Sequence, residues 1–298
     1  IRSSECFCRW TVDGGRWTIY FLEMISRLSS SFLQTTAAAG ASAVGLFWYA
    51  GSLYLLFAQT LSGVAQAVGE WFTRPLRRSL ILNELLKIGV QSWMIVSLSA
   101  FFIGMVLAFQ SAYQMQKLAA EVYIASLVSL SVVREIGPVM TALIVAGRVG
   151  SAIAAELGTM KVTEQIDALV TLAVNPVQYL VVPRFIALVI ALPLLTLWAD
   201  AIGILGGLLI GTLKLGILPS LYWKMTTLPL VFKDLASGLL KSFVFGMVVC
   251  IVSAFEGFRT QGGAEGVGRS TTAAVVTSFM LIIAADCFCT ALFYFVWR

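Results

Sequence analysis

Several charged residues lie inside apolar runs of the chain that are long enough to cross a membrane. Arg134 and Glu135 fall in the second such run, Lys241 in the fourth and Asp286 in the fifth. A charged side chain that faced lipid at these depths would cost several kcal/mol. We therefore expect these side chains to pair or to line a polar cavity. A functional cavity and a structural ion-pair network between helices both meet this requirement.

Two other kinds of chemistry are disfavoured by residue type. The chain contains no histidine, which excludes a His-ligated metal and a Ser-His-Asp triad. Cys287 and Cys289 lie two positions apart in an apolar run, so on a helix they point to different faces and favour neither a metal site nor a disulfide. We expect no metal and no cofactor in this chain.

The segment 263–270 matches the phosphate-binding loop pattern of nucleotide-binding proteins, except that Arg269 replaces the lysine. That loop normally follows a buried strand of a soluble sheet, whereas here it follows an apolar run. We interpret the segment as a glycine-rich turn between two spans and expect no ATP binding there.

The composition predicts an all-α integral membrane protein. Of 298 residues, 59% are hydrophobic and 12% are charged, with a mean hydropathy of +0.91, whereas soluble domains carry about 25% charged residues. The formal charge of +5 comes from scattered lysines and arginines, so nucleic acid is not an expected partner.

Five membrane spans are predicted, because each needs about 20 mainly apolar residues. They cover about residues 88–112, 122–158, 178–213, 236–257 and 272–297. Before them, residues 44–72 are interrupted by glycine and glutamine, which favours an interfacial or elbow helix. These elements form one membrane domain over residues 41–298, preceded by a segment, 1–40, of unknown role. Spans two and three are long, and Pro138 and Pro193 are the predicted bending points.

Charge and small residues predict the orientation and the packing of the spans. Basic residues are moderately enriched on one side, which places the N-terminus in the cytoplasm and residues 215–235 outside. Gly203, Gly207 and Gly211 recur at spacing four in span three, which indicates a face that packs closely against other helices.

A short amphipathic helix is predicted between spans two and three, over about residues 163–172. Thr163 offers an N-cap, and Glu164 and Asp167 place negative charge in the first turn. Its apolar face consists of Ile166, Leu169 and Val170. Asn175 and Pro176 are expected to end it. A helix on the membrane surface and a helix that couples the spans to a partner subunit both fit this pattern.

Several motifs recur in a characteristic order. They are Arg134–Pro138 (REIGP), Ala146–Ser151 (AGRVGS), Ala155–Gly158 (AELG), Glu164–Ala168 (EQIDA), Asn175-Pro176, Pro183–Phe185, Lys241-Ser242, Gly266–Thr272 and Asp286. This series resembles the MlaE permease family of bacterial phospholipid-trafficking ABC systems, which includes a lipid permease of the chloroplast inner envelope. The resemblance covers about residues 75–298.

The resemblance implies the permease subunit of an ABC-type phospholipid transporter. Such a subunit forms a homodimer, binds an ABC ATPase subunit that holds ATP and magnesium, and meets an MCE-domain substrate-binding protein. The implied location is the bacterial inner membrane, or alternatively the chloroplast inner envelope. A secondary transporter and an intramembrane lipid-modifying enzyme are the alternative functions, both disfavoured by the residues present.

The resemblance also implies roles for individual residues. Arg134, Glu135 and Lys241 would line or support a lipid headgroup path, in which the cations meet phosphate. Leu107, Met115 and Leu118 are candidates for the acyl-chain wall, with ordinary helix packing as the alternative. Asp286 is expected to be structural. The residues expected to couple to the ATPase are Glu164, Ile166, Asp167, Leu169 and Val170.

Overall fold

The computed structural model describes residues 44–45, 47–67, 69, 75–117 and 120–296. The predicted segment 1–40 and the candidate Leu118 lie outside these residues. Contacts divide the chain into a unit of residues 1–54 and a unit of residues 55–298. The described residues of the first unit are helical. All further description concerns the second unit.

The second unit is built from helices joined by short connections. Residues 55–67 form α1. The helices that follow are α2 (Pro75–Gln116), α3 (Ile124–Val162), α4 (Gln165–Thr171), α5 (Val177–Leu213), α6 (Pro219–Thr227), α7 (Phe232–Phe258) and α8 (Gly263–Val296). Among the described residues there is no strand. The helices α2, α3, α5, α7 and α8 are long and apolar enough to cross a membrane, which confirms the predicted all-α membrane fold.

The two connecting helices define the two ends of the molecule. Helix α4 joins the end of α3 to the start of α5, and α6 joins the end of α5 to the start of α7. Because α5 crosses between them, α4 and α6 lie at opposite ends, called here the α4 end and the α6 end.

Helix α1 packs against the beginning of α5. The rings of Phe57 and Phe185 lie 6.4 Å apart, and the Gln178 side-chain amide donates a hydrogen bond of 2.9 Å to Gln66. Helix α1 is not among the five helices that qualify as spans. Its predicted position at the membrane interface stays a prediction.

Two spans begin well before the predicted boundaries. Helix α2 starts at Pro75 rather than near residue 88, and α8 starts at Gly263 rather than near residue 272. The turn predicted over 263–270 is wrong for most of its length, since only Gly262 and Gly263 adopt positive φ, at 89° and 72°. The following residues are helical, because helical hydrogen bonds need no apolar side chains and the segment contains no proline.

Wide π-helical turns interrupt two spans. They occupy Val132–Ile136 and Ala146–Gly150 in α3, and Val177–Val181 at the start of α5. The first lies just before Pro138, whose ring leaves no backbone N–H to donate. A wider turn accommodates such a position. Pro193, the other predicted bending point, lies inside the α-helical part of α5, which has no π-helical turn.

Glycines bring α5 close to its neighbours, as predicted from their spacing. A Cβ on Gly104 of α2 would lie 1.9 Å from the Gly203 carbonyl oxygen, so the two backbones touch. Gly207 and Gly211 make room for the Tyr222 side chain of α6. Burial raises the pKa of the Tyr222 phenol to about 12, so the group that enters this space is neutral.

The close approach of α2 and α5 predicts a stability effect. Gly104→Ala should lower the melting temperature of the purified protein, because the new methyl group forces two backbones apart and such overpacking costs about 1–3 kcal/mol. Gly89→Ala is the matched control on the same helix, since a Cβ there would meet nothing within 4 Å. Thermal unfolding in detergent measures both variants, and equal melting temperatures would contradict the close packing.

Candidate functional site

The fully buried ammonium group of Lys241 is the centre of a charge cluster between three spans. Its Nζ donates hydrogen bonds to Glu135 Oε2 of α3 at 2.5 Å and to Thr290 Oγ1 of α8 at 2.7 Å. Asp286 Oδ1 of α8 lies 2.9 Å from the same nitrogen, as an ion pair without hydrogen-bond geometry. The expectation that these charges pair is confirmed for all three.

The members of the cluster differ in their exposure. The side chain of Lys241 is 2% exposed and that of Asp286 is 23% exposed, whereas that of Glu135 is 43% exposed. The one cation is therefore enclosed by two carboxyl groups, and the accessible surface of the cluster is formed by Glu135 and by Thr290, which is also exposed.

Arg134 forms a separate ion pair nearer the α6 end. Its Nε donates to Asp234 Oδ1 at 2.8 Å. Asp234 Oδ2 accepts from the Val231 backbone N–H at 3.1 Å, which satisfies a free N–H group at the start of α7. The Asp234 side chain is 6% exposed and that of Arg134 is 54% exposed. The pair thus fixes the guanidinium while leaving much of it accessible.

A π-helical turn allows two neighbouring residues of α3 to meet one face of α7. Arg134 and Glu135 both lie in the turn Val132–Ile136. Their partners Asp234 and Lys241 are seven residues apart, or two helical turns, and so share a face of α7. Side chains that are adjacent on a regular helix point about 100° apart, so the wider turn helps both to reach that face.

Replacement of Lys241 should strongly lower the stability of the protein. Lys241→Met should lower the melting temperature strongly, because it leaves two neighbouring, partly exposed carboxyl groups without a counter-charge, a loss of about 3 kcal/mol, the lower end of the range for a buried pair. Lys233→Met is the control, because it removes an exposed cation from the same helix. Adding Glu135→Gln and Asp286→Asn to Lys241→Met should restore part of the loss, as measured by thermal unfolding in detergent. An unchanged melting temperature in Lys241→Met would contradict the role of Lys241 as the counter-charge of Glu135 and Asp286.

A second charge cluster joins three spans at the α4 end. Arg184 of α5 is 8% exposed and contacts Glu156 Oε2 of α3 at 2.8 Å and Glu84 Oε1 of α2 at 3.7 Å. Lys87 of α2 contacts Glu156 Oε1 at 2.6 Å. Because α4 is attached to both α3 and α5, a displacement of α4 acts on the helices that this cluster joins.

The boundaries of α4 differ from the prediction. The helix begins at Gln165, after Glu164 in a left-handed conformation with φ of 60°. The predicted N-cap Thr163 is wrong, because its hydroxyl donates instead to the Thr159 carbonyl at 2.8 Å. This bond belongs to the last turn of α3, where the Thr163 side chain stays folded back on its own helix.

Asn175 and Pro176, which were predicted to end α4, have a different role. Asn175 Oδ1 accepts from the Val177 backbone N–H at 3.0 Å, so this residue supports the start of α5. Helix α4 itself ends at Thr171, four residues earlier, and Ala173 follows with a positive φ of 57°. A left-handed residue after the last turn is a common helix end.

The side chains of α4 divide between the interior and the surface. Ile166 is buried and Leu169 is half-buried, whereas Val170 is 57% exposed. Asp167 pairs with Lys161 at 3.0 Å, and both stay accessible. The helix is therefore anchored through Ile166 and presents Glu164, Asp167 and Val170 outward.

Two of the proposed acyl-chain residues take part in helix packing. Leu107 and Met115 are partly buried and pack against a cluster of buried residues that includes Ala108, Ile124 and Val128. This is ordinary helix packing, the alternative expected for these residues. Their contact with acyl chains stays a prediction.

The comparisons with known proteins identify the family. The family model described as Permease MlaE matches residues 81–292. The chain belongs to the MlaE permease family. It is 47% identical over 228 residues to a probable ABC transporter permease protein of Rickettsia typhi, covering 76% of this chain and 88% of that protein.

Two further relatives come from other lineages. The chain is 38% identical over 216 residues to the intermembrane phospholipid transport system permease protein MlaE of Haemophilus influenzae, covering 72% of this chain and 83% of that protein. It is 38% identical over 213 residues to the chloroplastic protein TRIGALACTOSYLDIACYLGLYCEROL 1 of Arabidopsis thaliana, covering 72% of this chain and 61% of that protein. The chain is accordingly a transport subunit of the MlaE family rather than an enzyme.

Sequence reasoning missed several partners in these clusters. Asp234 is the acid in the first turn of span four, a position that favours negative charge and was a usable signal. Thr290 and Glu84 carried no comparable signal, because a threonine in an apolar run and a glutamate near a span end are common. Their contacts depend on how distant helices pack.

Proposed function

We propose that this protein is the permease subunit of an ABC-type transporter that moves phospholipid between the bacterial inner membrane and an MCE-type substrate-binding protein. A separate ATPase subunit that binds ATP and magnesium would supply the energy. The relative in Haemophilus influenzae, which is named for intermembrane phospholipid transport, supports this substrate. The chloroplastic relative leaves the chloroplast inner envelope as the alternative location.

The accessible guanidinium of Arg134 is the observation that carries the proposal. A guanidinium has five N–H donors, and Asp234 is contacted through Nε and one terminal nitrogen. The remaining donors suit the oxygens of a phosphate group. Asp234 lies in the first turn of α7, which is the outer end of that span if residues 215–235 face outward. This is the depth of a lipid headgroup.

Lys241 is less suited to phosphate than Arg134. Its ammonium is almost fully enclosed and already faces two carboxyl groups. A phosphate at this point would meet the exposed Glu135 carboxylate first and be repelled. Lys241 would therefore support the path by holding Glu135 and Asp286 in place, while Arg134 makes the phosphate contact.

The exposed faces of α2 and α8 support a homodimer. The buried share of the most apolar stretch is 22% in α2 and 17% in α8, whereas it is 61% in α5. On the side of α8 that carries Thr290, Ile283 and Tyr294 are 60% and 66% exposed. A second copy that covers these faces would enclose the Glu135 side of the cluster, which would form a lipid cavity between the subunits.

Helix α4 is the proposed docking element for the ATPase. Its outward side combines the carboxylates of Glu164 and Asp167 with exposed Val170 and Leu172. Movement of α4 would pass to α3 and α5, which the Arg184 cluster ties to α2. Nucleotide-driven motion in the partner would in this way reach three spans.

Removal of Arg134 should reduce phospholipid binding. In Arg134→Ala, the phospholipid that co-purifies with the detergent-solubilised protein should fall roughly tenfold, because a charge-assisted hydrogen bond contributes about 1.5–3 kcal/mol. Lys233→Ala is the control, because it removes an exposed cation next to Asp234 at the start of α7. It should leave phospholipid recovery unchanged. Quantitative lipid mass spectrometry of the purified proteins gives the ratio.

A further variant separates lipid binding from stability. Arg134→Ala leaves Asp234 buried without its partner, whereas Arg134→Ala with Asp234→Asn also removes that unpaired charge. The double variant should regain thermal stability but not phospholipid. Full lipid recovery in either variant would show that Arg134 is only structural.

Reversal of the charge on α4 should uncouple the complex. Glu164→Lys with Asp167→Lys should leave the permease dimer intact and abolish lipid-stimulated ATPase activity of the assembled complex, because the docking surface changes sign. Glu265→Lys is the control, since it reverses an exposed acid at the start of α8, on the same side of the membrane. Normal stimulation in the double variant would rule out α4 as the coupling element.

A further inference from the structure

Arg148 is a cation inside a span whose described contacts contain no carboxylate. Its guanidinium donates to Ser92 Oγ at 3.3 Å and to Gln91 Oε1 at 3.5 Å, both on α2. By contrast, the guanidinium of Arg134 and the ammonium of Lys241 each contact a carboxylate. Within the part of the chain that the structure describes, the charge of Arg148 thus has no counter-charge. An ionisable group of this kind inside a span indicates a functional site.

The guanidinium of Arg148 keeps donors for a further partner. A guanidinium has five N–H groups, and the two long contacts with α2 use one on each terminal nitrogen. The side chain is partly exposed. The amide nitrogen of exposed Gln91 adds further donors, since the amide oxygen faces Arg148. Donors grouped in this way match the oxygens of a phosphate group.

Arg148 meets α2 at the depth of lipid headgroups. The 29 residues between Lys87 and Lys117 contain no charged side chain. At 1.5 Å per residue they span about 44 Å, close to the thickness of about 40–45 Å of a bilayer with its headgroups. Gln91 lies only one helical turn inside Lys87, at the α4 end. Trp93 is 51% exposed at the same level, and tryptophan is common at membrane interfaces.

An apolar stripe on α2 leads from Gln91 toward the middle of the bilayer. It consists of Ile95, Leu98 and Phe102, which follow Gln91 at spacings of four, three and four residues and share its face of the helix. These side chains are 47%, 58% and 53% exposed. The stripe reaches about 16 Å, roughly half of the hydrocarbon core and so the depth of one leaflet. A lipid whose phosphate meets Arg148 would place its chains along this α2 stripe.

The charges near this level favour a lipid over a second copy of the chain. Glu84 and Glu156 already contact Arg184, and Glu256 is only 8% exposed. These carboxylates of a second copy are therefore engaged or enclosed within their own chain, whereas a phospholipid brings a phosphate at this depth. Helix α2 is exposed over most of its most apolar stretch. A lipid on this face and the proposed second copy on another face can therefore coexist.

We propose that Arg148, together with Gln91, binds the phosphate of a phospholipid in the leaflet at the α4 end, with the acyl chains along the α2 stripe. The Arg134 path lies at the α6 end, on the opposite side of the membrane. The two sites share no residue. The Arg148 site therefore does not depend on the proposed transport function.

Photo-crosslinking of the full chain in dodecyl maltoside, a detergent without phosphate, tests the proposal. Separate samples receive a trace of phosphatidylglycerol or of diacylglycerol, both with a diazirine near the start of one acyl chain. After irradiation, the crosslinked residues are located by mass spectrometry of the digested protein. Phosphatidylglycerol should label residues 91–102 roughly tenfold more than diacylglycerol, because only the former offers a charged acceptor to the guanidinium.

Two variants change the site in different ways. Arg148→Gln removes the charge, and Gln91→Glu supplies a carboxylate that competes with phosphate for the guanidinium. Each should lower the phosphatidylglycerol crosslinks in residues 91–102 roughly tenfold. Arg269→Gln is the matched control, because it removes an exposed cation at the same end of the molecule, and it should leave these crosslinks unchanged. Arg134→Ala should leave them unchanged as well, which separates this site from the proposed phospholipid path.

Three results would overturn the proposal. They are equal crosslinking by diacylglycerol, unchanged crosslinking in either variant of the site, and attachment of a benzoylphenylalanine placed at Met94, beside the α2 stripe, to a second copy instead of to lipid. If Arg148→Gln aggregates during gel filtration, Gln91→Glu alone decides, because Gln91 lies at the exposed surface.

Discussion

An ammonium group enclosed between three membrane-spanning helices constrains this protein more than any other contact. Hydrocarbon provides no counter-charge and no hydrogen bond, so Lys241 of α7 must be neutralised by groups on neighbouring helices. Glu135 of α3 and Asp286 of α8 supply the charges, and Thr290 accepts a hydrogen bond. Helices α3, α7 and α8 are thereby held in one register. The accessible surface of this cluster is formed mainly by Glu135 and Thr290.

The two π-helical turns of α3 contain three of its charged residues. One π-helical turn contains Arg134 and Glu135, and the other contains Arg148, whose guanidinium donates to Ser92 of α2 at 3.3 Å. A π-helical turn inserts one residue and rotates the helix after it, which helps successive charged side chains to reach partners in a crowded bundle. Such turns are frequent at functional sites, and in α3 the first coincides with the residues proposed to meet phosphate.

The two ends of the molecule differ in their polar groups. At the α4 end, Arg184 and Lys87 neutralise Glu156 and Glu84 within a network that joins α2, α3 and α5. At the α6 end, Asp234 holds the guanidinium of Arg134, which still presents free donors. Under the proposed function, the first end receives mechanical input from the ATPase, and the second contacts the lipid phosphate through Arg134.

The sequence by itself determined the five apolar spans, the need of the intramembrane charges for partners, and the packing face of Gly203, Gly207 and Gly211. These follow from hydropathy, charge and spacing, which are local properties of the chain. Only the tertiary structure decided that Arg134 meets Asp234 while its neighbour Glu135 meets Lys241. The partners are separated by 100 and 106 residues, so their pairing depends on the register between packed helices. That register is decided by side-chain fit and glycine contacts across the whole bundle, which no local pattern contains.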